Sequence, residues 1–189
     1  MRTDPTFWLL ARSGGFVAYL LVTVSVLAGL LLKARPFASL GPAAAIDLHR
    51  FLSLLALAAT ALHGLALLLD TYIPFGVADL LVPGTAPYRP LATALGVVAG
   101  ELTLAVYVSF SVRRYINVKN WRRLHWATYA VFMLATVHGI AAGSDSDRGG
   151  AAALYALAAG SVAAAIVWRA LAPPAARSRR TVAPRSTAS

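Results

Sequence analysis

The chain has 189 residues, 59% of them hydrophobic and only 13% charged, with a mean hydropathy of +0.69 and a formal net charge of +10. A water-soluble domain carries about 25% charged residues, so the composition excludes that class and predicts an integral membrane protein with no length left for a soluble catalytic domain. Cysteine is absent, which excludes disulfides, thiolate metal sites and iron–sulfur clusters and leaves histidine for any redox or metal chemistry.

Five spans are predicted, each near the roughly 20 residues that cross a bilayer. The first covers Leu9 to Leu32, with Arg12 near its start. Its apolar run from Phe16 to Leu32 is longer than a signal-peptide core and is followed by Lys33 and Arg35, which predicts a retained helix. The second span, Ala43 to Leu69, is opened by Pro42 at a favoured first-turn position and holds His49 and His63. In the connection from Asp70 to Pro90, residues Val77 to Val82 are expected to form a short helical turn at the interface.

The third span, Leu91 to Val112, follows Pro90 and carries Glu101 near its middle. A carboxylate there is either a protonated, hydrogen-bonded packing residue or part of a proton route. Gly96 and Gly100 form a small-xxx-small pair suited to close helix contact. The fourth span, Trp121 to Ala142, holds His125 and His138, and the fifth, Ala151 to Leu171, is stopped by Pro173 and Pro174. Residues 1–172 are thus read as one membrane domain and 173–189 as a basic, disordered cytoplasmic tail.

Charge sets the expected orientation. With the N-terminus outside and the C-terminus in the cytoplasm, 13 of the 17 Lys and Arg residues fall inside, including the cluster Arg113, Arg114, Lys119, Arg122 and Arg123. The positive-inside rule favours this arrangement. It also accounts for the net charge without nucleic acid, because the basic residues sit at the ends of apolar segments. The predicted fold is therefore all-α, a membrane bundle of five transmembrane helices.

All four histidines lie on the second and fourth spans, which run in the same direction. His49 and His125 share the cytoplasmic depth, and His63 and His138 the outer one. Spacings of 14 and 13 residues correspond to rises of about 21 and 20 Å, too far for the two pairs to share one ion. Each depth offers two ligands, fewer than zinc takes, but two facing imidazoles can supply both axial ligands of a haem iron. The competing readings are four hydrogen-bonded core histidines, or proton relays with Glu101 in a small transporter.

On the second span the path His49, Ser53, Ala56, Thr60, His63 is small throughout, a shallow groove for a flat macrocycle. On the fourth, 13 residues fall about 140° short of four turns, so a distortion or an oblique ligand is required. Phe132 lies midway, either packing or separating two cofactors. Gly64 and Gly139, directly after His63 and His138, allow close approach. Arg50 on the inner side, and Arg12 and Arg89 on the outer, either pair with haem carboxylates or snorkel to the interface.

The paired histidines, together with Trp121-Arg122-Arg123-Leu124-His125, Tyr129 and His138-Gly139, resemble the ferric reductase-like transmembrane domain. That group includes NADPH oxidases, ferric reductases and the haem subunit of the periplasmic methionine sulfoxide reductase. The segments Ala78-Asp79-Leu80-Leu81-Val82-Pro83 and Tyr88-Arg89-Pro90-Leu91 look like its short, stand-alone bacterial members. The resemblance spans about residues 8 to 170. It implies two b-type haems, the inner held by His49 and His125 and the outer by His63 and His138, carrying electrons across the membrane. The oxidases and ferric reductases of that group have a fused flavin and nicotinamide domain, and this sequence has no Gly-rich nucleotide loop. The expected donor is a flavoprotein in trans or membrane quinol, attracted in the first case to the basic inner surface. Fifteen Arg to two Lys, with abundant Ala, hints at the cytoplasmic membrane of a high-GC bacterium.

Overall fold

The structure, a computed structural model, describes residues 5–32 and 41–171. Among them are seven α-helices and no strand. They are α1 (Thr6–Leu31), α2 (Pro42–Leu68), α3 (Val77–Leu81), α4 (Pro90–Ile116), α5 (Val118–His125), α6 (Ala127–Ala142) and α7 (Gly149–Leu171). Lys33, Arg35 and the basic tail at 173–189 lie outside the described residues.

Five helical spans are long and apolar enough to cross a membrane: α1, α2, α4, α5 with α6, and α7, of 26, 27, 27, 25 and 23 residues. In lipid every backbone N–H and C=O must be satisfied within the chain. The hydroxyls follow the same logic and fold back on their own helices. Thr23, Ser53, Thr60, Thr103 and Thr136 each donate to the carbonyl four residues earlier. Prolines open α2 and α4, where their missing N–H costs nothing. The short turn expected between the second and third spans is α3, whose Asp79 accepts the Gly76 N–H at 2.8 Å.

α1 packs antiparallel on α2, and α4 antiparallel on α6, while α1 also touches α6 and α7. The first helix therefore contacts three of the other four spans. The core at mid-depth gathers Tyr19, Val22, Ala56, Val131, Phe132 and Tyr155. Phe132 stacks on Tyr19 with centroids 5.9 Å apart, Tyr155 lies 5.1 Å from Tyr19, and the Tyr19 hydroxyl pairs with Thr136 Oγ1 at 3.1 Å. Outward faces are apolar, with Leu62, Leu91 and Leu157 at 64, 85 and 73% exposure. That surface suits acyl chains rather than water.

Two contacts close the end that carries Arg12. Arg89, at φ 41, donates Nη1 to the carbonyls of Ala141 and Gly143 at 2.6 and 3.2 Å, capping α6. Beside it Gly139 lets α7 approach, since a methyl at 139 would lie 2.5 Å from the Tyr155 hydroxyl. Gly64 meets only Leu80, at an ordinary 3.6 Å. Gly139→Ala should therefore push α7 off α6 and lower stability by about 1–3 kcal/mol. Thermal unfolding in detergent measures it, and an unchanged midpoint would show that the contact is slack.

Candidate functional site

The four histidines meet as two pairs. His49 of α2 faces His125 of α5 with ring centroids 6.2 Å apart and planes at 82°; His63 of α2 faces His138 of α6 at 6.4 Å and 68°. The separations have a chemical meaning. A metal–imidazole bond is about 2 Å and a ring nitrogen lies roughly 1.1 Å from its centroid, so a centroid spacing of about 6 Å would leave room for one metal between the two rings. The same spacing, with planes at 82° and 68°, also falls within the range of ordinary edge-to-face ring contacts.

Hydrogen bonding settles which nitrogen three of the four rings leave free. Nδ1 of His49 lies 3.0 Å from the Ser25 carbonyl, Nδ1 of His63 2.6 Å from that of Ala11, and Nδ1 of His138 2.8 Å from that of Ala92. A carbonyl only accepts, so in all three Nδ1–H is the donor and the neutral ring keeps its lone pair on Nε2. This is the tautomer of a metal ligand whose second nitrogen is anchored by the protein. His125 is held otherwise, by Trp121 stacked 5.2 Å away at 27°.

The 13-residue interval on the fourth span is accommodated by a break. α5 ends at His125 and α6 begins at Ala127. Across it the Trp126 N–H reaches Arg123 at 3.1 Å and the Tyr129 N–H reaches Trp126 at 3.1 Å, while Thr128 Oγ1 bonds the His125 carbonyl at 2.9 Å. Such i to i+3 bonds wind the chain at about 120° per residue rather than 100°. A few residues so wound remove part of the angular deficit, and His125 turns towards α2.

Around His63 and His138 lies a cavity of about 320 Å³, lined by Gly15, Thr60, Gly96, Gly100 and Ala135 among others, with Arg12 and Glu101 at its wall. The small groove read along α2 is only partly a groove. Thr60 lines the cavity, but Ser53 Oγ bonds Ser25 Oγ at 2.8 Å and Ala56 is buried against Tyr19 and Val22. Those two small residues serve the α1–α2 contact.

The three arginines differ in their surroundings. Arg12 forms an ion pair with Asp145, lies 5.1 Å over the Phe16 ring, and leaves its buried Nε without a partner among the described residues. Arg89 is engaged with the end of α6, as above. Arg50 is more exposed, 3.5 Å from Asp47 and 4.7 Å over the Phe110 ring. Sequence reasoning missed Asp145 as Arg12's partner and Gly15 and Gly29 opposite the histidines, and it read Gly96 as a helix-contact residue without placing it against His138.

Among the described residues no cluster of three or more His, Cys, Asp or Glu could hold a metal by itself. Among the described residues each depth offers two imidazoles, so a metal held there would need its remaining ligands from outside the protein. The donor set, the centroid spacing and the orphaned Arg12 Nε fit an iron porphyrin with its carboxylates. The chain belongs to the family described as a domain of unknown function (DUF8596), which matches residues 6–145 and so includes all four histidines. No curated protein and no solved structure matches it.

Proposed function

We propose that the protein is a transmembrane electron conduit that holds two b-type haems, one between His49 and His125 and one between His63 and His138. The observation that carries this reading is the pair of imidazole couples at 6.2 and 6.4 Å, with three of the four rings fixed through Nδ1. Bound there, the haems would supply one-electron carriers at two depths of the bilayer. The likeness of the Trp121–Gly139 stretch to the ferric reductase-like transmembrane domain supports the same reading.

The chain's own part is orientation and exclusion. His49, His63 and His138 present Nε2 on anchored rings, and Trp121 backs His125. Tyr19, Val22, Val131 and Phe132 fill the space between the depths and keep water from mid-membrane. Arg12, with its free Nε at the cavity wall, would hold a haem carboxylate, and Arg50 is placed to do so at the other end.

This reading takes the N-terminus to lie outside and the basic α4–α5 corner in the cytoplasm of a bacterium, because the positive-inside rule favours that orientation. Arg113, Arg114, Lys119, Arg122 and Arg123 are all exposed there and would attract an acidic flavoprotein donor, with quinol as the other source of electrons. Purified protein should show two haems b per chain by pyridine haemochrome and a low-spin Soret band that shifts on reduction. A colourless protein that moves protons in liposomes would overturn the proposal in favour of a histidine relay.

A further inference from the structure

We infer that Gly15, Gly29 and Gly96 are positioning residues that uncover three helix carbonyls so that three imidazoles can lock onto them. The carbonyls that accept from His63, His49 and His138 belong to Ala11, Ser25 and Ala92. Each lies four residues before one of these glycines. In an α-helix the side chain at i+4 leans back over the turn before it and covers the carbonyl of residue i. That carbonyl already accepts the i+4 N–H, and its second lone pair becomes reachable only when the covering side chain is removed.

The contacts agree with this account at all three places. A methyl at 15 would lie 3.2 Å from His63 Cε1 and 3.3 Å from its Nδ1; at 29 it would lie 3.2 Å from His49 Cε1; at 96 it would lie 2.6 Å from both Cε1 and Nδ1 of His138. By contrast Gly160 faces open space. The fourth histidine shows what happens without the device. His125 has no carbonyl partner among the described residues and stacks on Trp121 instead.

The inference deepens the haem reading and rests on it for its functional consequence, since the anchored Nδ1–H makes Nε2 the more basic ligand. Its first test needs no haem. The full chain is labelled with ¹⁵N-histidine, purified in lipid from a haem-deficient host, and the ring nitrogen shifts are read. His49, His63 and His138 should be in the Nδ1–H form. Gly15→Ala should shift His63 alone towards the Nε2–H form, and Gly29→Ala should shift His49 alone.

With haem bound, each of those variants should weaken retention of one haem by roughly 10–100-fold, the usual effect of losing an outer-shell partner, and raise the midpoint potential of that haem only. Gly96→Ala should be the most severe, and Gly160→Ala should match the wild type. Nε2–H tautomers in the wild type, or Gly15→Ala and Gly29→Ala behaving like Gly160→Ala, would overturn the inference. A colourless wild type with the expected tautomers would sink the haem reading and leave the glycine–carbonyl device standing.

Discussion

Replacing His138 with alanine should lower bound haem from two per chain to one. It should also cut electron transfer across the bilayer by at least about 100-fold, because loss of a second-shell partner alone costs about 10–100-fold and this substitution removes the ligand itself. The ring at 138 faces His63 at 6.4 Å and is anchored on Ala92, so the variant leaves one face of that position bare. The other pair lies roughly 20 Å away along the helices and should keep its haem, since distant sites act independently.

The pairing itself can be read from combinations. His63→Ala and His138→Ala should lose the same spectral component, and the double variant should lose nothing more. His49→Ala combined with His138→Ala should lose everything. If His63→Ala and His138→Ala abolish different haems, the pairing is wrong even if the haem count is right.

Arg12→Ala should be the other large effect, and it should show in two readouts. Its ion pair with Asp145 is three-quarters buried on both sides, with side-chain exposures of 22 and 28%. Removing one partner leaves the other charge without compensation, at a cost of about 3 kcal/mol, the low end for buried pairs because some solvent reaches this one. The second readout is haem retention. Arg12 Nε is buried without a partner among the described residues and borders the cavity at His63 and His138, so the variant should also release that haem more easily. Asp145→Asn separates the two effects, because it should lower the unfolding midpoint while retaining haem. Arg12→Ala that keeps wild-type haem affinity would place the carboxylate contact elsewhere.

Much of this arrangement was legible in the sequence because it lives in single residues and helical periods. The five spans follow from apolar length, and their bounds move by only a few residues. His49, His63, His125 and His138 stand out because ionisable groups are rare in apolar helices, and parallel travel of two spans is enough to match their depths. What stayed hidden depends on register between helices. Ser53 and Ala56 read as part of a cofactor groove because only α2 was in view, whereas they face α1. The 13-residue spacing called for a distortion or an oblique ligand on the fourth span, but no proline or glycine marks the place of the split at Trp126. The glycines of α1 carried a signal that was available and silent: Gly15 and Gly29 are 14 residues apart, as are His49 and His63.

That shared interval gives α1 a part that its lack of ligands conceals. It is a ruler laid antiparallel to α2, with marks at 15 and 29 set against 63 and 49. Substitutions between the marks change what the ruler is made of. An inserted or deleted residue changes its length, turns one mark about 100° away from its histidine, and leaves the other in place. The stretch from Gly15 to Gly29 is therefore fixed in count as well as in the core residues it carries, Tyr19 and Val22 among them, a constraint of number on a helix that supplies no ligand.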